Sequence, residues 1–566
     1  MAKRSISPAV LPPSKRPHYD HDVREKHAPS LNFDTLLYDE LILCIFSYLS
    51  WVDLCVIQST NRNWARLAAD NELWRELYLA EYGRTRLRGS RGFIGRLDGR
   101  EVKPLPGHSR AKGDQYRDWK WMFRISSNWR SGRSLVEEWE SPEHPDAGMP
   151  SPELPDEQTH ILLAGPWTIA ASSKKAVIQL SRHPGQSRLF NLPYEEPSIH
   201  SSCVSITALA LDQSPSSSDR LCIAIFFSTG QFSVHDFNAS SVSVDPIRRY
   251  NYRPSRQSLR TSNVVKAVYH HPLLVTLSEN FSLSIYDLSA GTVRHIQTLG
   301  SFTSYPPASM VLSSPSSTAY KLVIAYSIPV YPKHWSIGAT ELLISKGVDG
   351  SASPAISNPT LFSSPSFHED YKYPLATTMS ILNSRTIRAF DTPSGWVDEN
   401  SLRLMREQWG RKLYNVADAQ TDGKWVVIAP GQRSHTHLTM PDSQTSSTSD
   451  MITSNYDSPT SLQLYRLVLP SQSNSISASP PKLNFVRTLH GQMSTVSALA
   501  LADGRCVSLG QNGSIWVWDL EAGTGAQVAP ADNSVEGRPI KGTVSFDDRR
   551  IVSAYGGKVV VRRFDI

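Results

Sequence analysis

Cysteine is scarce in this chain: five in 566 residues, at Cys44, Cys55, Cys203, Cys222 and Cys506. Their odd number, wide spacing and mostly apolar neighbours argue against a disulfide-held secreted scaffold and predict buried thiols in a reducing compartment. No Cys-x-x-Cys pair and no His-Glu-x-x-His segment occurs, so neither of these zinc signatures is offered and no metal or other cofactor is expected. No uninterrupted apolar run approaches the roughly 20 residues that cross a bilayer, and the N-terminal stretch has no apolar core of a signal peptide. A soluble, intracellular chain without membrane contact is expected. A Walker-type phosphate cradle and a Gly-x-Ser-x-Gly elbow are missing as well, which leaves a catalytic reading little support.

The 38 prolines and abundant serines concentrate between apolar runs, and 566 residues exceed one ordinary core. Several domains with long surface loops follow. Residues 1–30 read as a disordered basic tail, in which Lys3-Arg4 and Lys15-Arg16-Pro17 resemble a bipartite nuclear import signal, so the expected location is cytoplasmic and/or nuclear. Net charge is only +6, but unevenly placed: basic residues outnumber acidic ones by about three to one from Arg84 to Arg130, whereas Glu137 to Glu157 holds no Lys or Arg. Without a zinc finger, ribonucleoprotein motif or basic helix beside it, the basic stretch reads as solvated faces and loops, and nucleic acid is not expected as a partner.

From Leu36 to Leu77 apolar residues recur at helical spacing in a segment too short to bury them all. Leu37, Leu41, Ile45 and Leu49 fall at i, i+4, i+8 and i+12, with Ile42 and Phe46 widening the stripe. Ser50-Trp51-Val52-Asp53 has the form of a capping box that starts a second helix. This order resembles the F-box, the helical motif that docks substrate receptors onto the Skp-type adaptor of SCF ubiquitin ligases. The family pattern falls here on Leu37, Glu40, Ile42, Ile45, Phe46, Leu49, Asp53, Leu54, Trp64, Leu73 and Trp74, with Tyr38 where proline is usual. The resemblance implies adaptor binding through Leu37, Tyr38, Leu41, Ile42, Ile45, Phe46, Leu49, Leu54 and Trp64.

The F-box and its following helix are assigned to 31–83, with Asp70 as a cap, Leu73, Trp74, Leu77 and Tyr78 on one side, and Gly83 ending the helix. A basic loop and linker helix fill 84–133. That helix is expected to open at Asp114, with Tyr116, Trp119, Phe123 and Trp129 near one face. An acidic linker is placed at 134–159.

Beyond residue 160 the pattern turns to short strands rich in Val, Ile, Phe and Tyr. Several end alike, at His235-Asp236-Phe237, Tyr286-Asp287-Leu288, Trp518-Asp519-Leu520 and Phe564-Asp565-Ile566. That recurrence resembles the WD-repeat propeller signature. In that family a His, a Ser or Thr, a Trp and an Asp form a hydrogen-bonded tetrad in each blade. In the best copy, Leu489–Gly523, the resemblance puts Ser508 and Trp518 in it, with Gln492 for the His, Asn512 for the turn Asp and Asp519 closing the repeat. The expected fold is multidomain, α then all-β: F-box and linker helices followed by a WD-repeat-like β-propeller over 160–566. About seven blades are counted, starting near Ile161, Ile206, Val264, Ala308, Leu413, Val496 and Thr543, with Ser134 to Trp139 as an outer strand of the last. Insertions are placed at 345–400, which includes Gly395-Trp396, and at 431–460, where His435 and His437 read as solvated.

An F-box before a propeller resembles the substrate receptor of an SCF ligase, which implies a noncatalytic subunit that reaches cullin and RING subunits through the adaptor and holds an unidentified protein substrate on the propeller. The alternative is a scaffold outside a ligase that binds the adaptor alone. A propeller hydrolase is a third class, since its carboxylates would come from separate blades and leave no local motif.

Overall fold

The computed structural model describes residues 36–83, 118–140, 158–173, 176–182, 187–192, 204–214, 220–238, 245–254, 262–316, 319–330, 333–345, 379–390, 397–432, 460–469, 481–502, 504–532, 542–555 and 557–566. The chain divides into two compact units, Met1–Leu77 and Tyr78–Ile566.

In the first unit, helix starts are marked by side chains that satisfy free backbone amides. α1 (Asp39–Phe46) follows Tyr38 without a side-chain cap, and its first turn carries Asp39 and Glu40, which suit the positive end of the helix dipole. α2 (Trp51–Ile57) has the capping box of Ser50 and Asp53. α3 (Arg62–Leu67) is capped by Asn61, whose Oδ1 accepts from Trp64 N at 2.8 Å. α4 (Asn71–Tyr78) starts at Asp70, whose Oδ1 accepts from the amides of Glu72 and Leu73 at 2.9 and 3.3 Å. A π-helical turn over Leu79–Gly83, which belongs to the second unit, follows in sequence. Ile42, Phe46, Leu54, Leu67, Ala68, Leu73 and Trp74 form the buried interior of this unit, with Phe46 edge-on to Trp64 at 5.9 Å and Trp74 Nε1 donating to Ala68 O at 2.8 Å. Leu37 and Leu49, read as the ends of one helical stripe, lie outside α1. Cys44 and Cys55 are exposed rather than buried, because each lies on the face of its helix opposite the one small core.

In the second unit, α5 (Trp119–Ser131) is capped by Asp118, whose Oδ1 accepts from Trp121 N at 3.0 Å, rather than opening at Asp114. Asp114 and Tyr116 lie outside the described residues. Gly132 ends it at φ 71°, and a Cβ there would sit 3.1 Å from Gln527 O, so both conformation and space call for glycine. α5 buries Trp119, Met122, Phe123, Ile125 and Trp129; Trp129 stacks on Phe564 at 4.3 Å and Asn128 Nδ2 donates to Phe564 O at 2.9 Å.

Seven four-stranded antiparallel sheets make the rest. Six are sequential, over 159–191, 206–252, 264–300, 305–388, 416–489 and 496–529. The seventh combines Thr543–Phe546, Arg550–Tyr555 and Lys558–Arg563 with Leu135–Glu140, which pairs from Leu135↔Arg563 to Glu140↔Lys558. Each first strand packs on the first strands of the two neighbouring sheets, the seventh returning to the first, so the sheets close a ring of seven blades. Apolar clusters fill the spaces between blades: Ile169, Ile178, Ile223, Ile225 and Phe237 lie between the first two. Because strands alternate in direction, connections between second and third strands and between blades open on one face of the ring, and the other connections open on the opposite face.

Two assigned boundaries change. The stretch 345–400 is not all insertion, for Ser380–Arg388 is the outer strand of the fourth blade, paired from Gly338↔Arg388 to Ser345↔Ser380, and α6 (Glu399–Gly410) follows. Its Ser, Asn, Thr and Arg content hid a strand whose outer edge meets water. The fifth blade begins at Val416, and Leu413 forms only an isolated bridge to Trp335. Within the supposed acidic linker, 135–140 is blade; residues 141–157, 346–378, 391–396 and 433–459, with Gly395, Trp396, His435 and His437, lie outside the described residues.

Candidate functional site

The N-terminal unit leaves much of its apolar surface in water. Once Ile42, Phe46 and Leu54 have gone inward, Leu41 and Ile45 of α1 remain 51% and 43% exposed, and Tyr38, Tyr48, Trp51, Val52 and Val56 are exposed as well. Apolar exposure on this scale in a small helical unit makes this face the candidate interaction surface. The structure therefore separates the residues assigned to adaptor binding. Tyr38, Leu41 and Ile45 are exposed and Leu37 and Leu49 are half-buried, whereas Ile42, Phe46 and Leu54 belong to the interior, where Trp64 packs on Phe46. Ile42, Phe46 and Leu54 hold the helices and present no free face, while Trp64 is half-buried. Tyr48, Trp51, Val52 and Val56 were missed. The available signal was α2 itself, WVDLCVI, in which Leu54 alone is buried.

The blade-supporting residues come together in the sixth blade. Trp518 Nε1 donates to Ser508 Oγ at 2.9 Å, and Ser508 Oγ donates to Gln492 Oε1 at 2.7 Å, all three being buried. Gln492 Nε2 has no hydrogen-bond partner among the described residues, so the chain of bonds stops there. Asn512 instead holds the following turn: its Oδ1 accepts from Ser494 Oγ at 2.8 Å and from Ser514 Oγ at 2.7 Å, beside Gly513 at φ 78°. Asp519 Oδ1 accepts from the amides of Glu521 and Ala522, both at 3.0 Å. Trp518 also explains Gly525, where a Cβ would lie 2.4 Å from the indole. These contacts stiffen a blade, and none is aimed at a ligand.

The repeated aspartates are not equivalent. Asp287 Oδ1 accepts from Ser289 N at 2.9 Å, a turn bond like that of Asp519. Asp236 is buried and pairs with Arg249 Nε at 2.5 Å. Nearby, burial above all, then the Asp236 carboxylate, pushes the Cys222 thiol up to about 12, so it is not a ready nucleophile. Among the described residues no three His, Cys, Asp or Glu side chains converge to hold a metal ion, and no helix is long and apolar enough to cross a membrane.

An exposed apolar face on a short capped helical unit, followed by a closed seven-bladed ring, defines an F-box protein with a β-propeller. An F-box-like profile matches residues 39–80. The profile described as F-box protein pof12 beta-propeller matches residues 169–549, and the chain belongs to that family. Among solved structures it is similar to the WD40 beta propeller domain of Doa1, at 10% identity over 72% of this chain and 94% of that one, with a TM-score of 0.35. It is also similar to BamB from Moraxella catarrhalis, at 8% identity over 72% and 98%, with a TM-score of 0.33. No curated protein sequence matches the chain.

Proposed function

We propose that the protein is the substrate-recognition subunit of an SCF-type ubiquitin ligase, with the F-box docking a Skp-type adaptor and the propeller holding a protein substrate. The observation that carries this reading is the solvent-facing pair Leu41 and Ile45 on α1, left over after the unit's own interior is filled. Such a receptor makes no covalent bond. It keeps a substrate lysine at high effective concentration near a charged conjugating enzyme brought by cullin and RING subunits.

Affinity purification of the full chain from its native cells tests the reading, and recovery of adaptor, cullin and RING subunits together is expected. The Leu41→Ala/Ile45→Ala variant should lose at least about 2 kcal/mol of adaptor binding, roughly thirtyfold, while staying folded, since neither side chain is interior. Recovery of the adaptor without cullin would replace the ligase with a scaffold. Unchanged adaptor binding by the folded variant would remove the docking assignment altogether.

A further inference from the structure

Helix α6 stands over a groove between the outer strands of the fourth and fifth blades. It is capped by Asp398, whose Oδ1 accepts from Ser401 N at 3.1 Å, yet none of its residues is buried. Leu402 and Leu404 stay exposed. The helix is held at its C-terminal end: Trp409 lies 5.7 Å from both His334 and Phe390, Lys412 sits over Trp409 at 4.6 Å, and Gln463 Nε2 donates to Arg411 O at 3.0 Å. An amphipathic helix tethered at one end and buried nowhere has an apolar side with little to pack on.

Beneath it lies a cavity of about 330 Å³, with Leu404, Glu407, Arg411, Leu483 and Phe485 in its walls. A second, of about 400 Å³, shares Leu483 and Asn484 with the first and is flanked by Arg388 and Lys482. Together they form one largely polar groove, with the exposed Leu404 at one end and the charged pair at the other, a size that admits several side chains. Its charge has one sign in excess. Glu407 is the acid in the lining, and it is shared by Arg403 at 3.5 Å and Arg411 at 3.6 Å. Arg388 donates to Thr303 Oγ1 at 3.3 Å, but neither it nor Lys482 has an acidic partner within salt-bridge distance among the described residues.

We propose that this groove binds a peptide segment of a partner protein in which an apolar side chain is flanked by carboxylates. The apolar anchor packs on the exposed Leu404, and the carboxylates meet Arg388 and Lys482, which have no acidic partner among the described residues. A nucleic acid suits the groove less well, because Phe485, a ring on which a base would stack, is already covered by the Arg411 guanidinium at 4.3 Å. The site lies wholly within the propeller unit and does not depend on the ligase reading.

A displayed library of random dodecapeptides, panned against the full chain, tests the inference. Enrichment of sequences with Asp or Glu on both sides of Leu, Ile, Met or Phe is expected. A labelled synthetic peptide of the enriched class should bind Arg388→Glu/Lys482→Glu, and separately Leu404→Asp, at least tenfold more weakly, and binding should fall with added salt. All three positions are exposed, so the variants should keep the parent melting temperature, and Arg294→Glu on the third blade should bind like the parent. Lack of acidic–apolar enrichment, or equal binding by the charge-reversed variant, overturns the proposal. So does a double-stranded oligonucleotide that binds at this groove where the peptide does not, or a concentration-dependent dimer that the charge reversal abolishes, which would make the occupant a second copy.

Discussion

His235 shows how a residue visible in a repeat can carry a property invisible there. It is buried, with Nε2 2.9 Å from Ser233 Oγ and Nδ1 without a hydrogen-bond partner among the described residues. Burial first, then the Arg248 charge, pushes its pKa down to about 4 against the opposing pull of Asp236. The unfolded chain takes up a proton near pH 6.5 that the folded chain refuses, so stability is complete above pH 6.5 and falls as pH drops towards 4, where the folded state protonates too. Between pH 7 and pH 5 this group should cost on the order of 2 kcal/mol. Urea midpoints at the two pH values, in the parent and in His235→Gln, measure it, and an equally steep loss in the variant would acquit His235. The sequence placed His235 beside Asp236 at a strand end, but the side of the strand that turns inward depends on the next blade. Gln492, Ser508 and Trp518 were legible as a degraded set because their spacing is local, and two of its bonds survive. The separation of Leu41 and Ile45 from Ile42 and Phe46 was not legible, since one residue on a helix changes the direction of a side chain by about 100° and the inward direction is set by α3 and α4.

At the scale of elements, ring closure does not rest on the strand Leu135–Glu140 alone. Arg550, 8% exposed, reaches from the seventh blade to the first, donating to Gly165 O at 2.7 Å, Pro166 O at 3.0 Å and Trp167 O at 3.0 Å, while its Nε pairs with Asp547 at 3.0 Å. Removing it leaves the buried Trp167 carbonyl without this donor, whereas Gly165 and Pro166 are exposed and Asp547 keeps the amides of Arg549 and Arg550. Arg550→Met should therefore cost about 2 to 3 kcal/mol, whereas Lys558→Met, which breaks the exposed pair with Glu138 at 2.6 Å, should cost at most about 1 kcal/mol. Denaturant unfolding of the two variants checks the contrast, and equal losses would deny Arg550 its closing role. Strands ending in an aromatic ring and aspartate were readable because they are largely buried and carry Val, Ile, Leu or Phe before the ring. Ser380–Arg388 was not, because an outermost strand needs only one satisfied edge and little apolar surface. Arg550 was unreadable for another reason: its partners lie some 380 residues away in sequence.

For the whole molecule, the two units have separate interiors, one of helices before Leu77 and one of blades after Tyr78. Separate interiors imply that each unit can fold and bind without the other. Tyr78 packs on Trp119 at 5.4 Å and Tyr82 on Phe123 at 5.4 Å, so a fragment that begins at Tyr78 keeps the partners of α5. Removing residues 1–77 should therefore leave a propeller with the melting behaviour of the parent ring, able to hold its substrate but unable to recover cullin. In cells such a fragment should compete with the full chain for substrate without delivering it, and the substrate's lifetime should lengthen. Circular dichroism and limited proteolysis establish that the fragment is folded, and a chase of the captured protein after synthesis is stopped measures the lifetime. If the folded fragment captures nothing that the full chain captures, substrate recognition needs the helical unit, and the division of labour between docking helices and propeller is wrong.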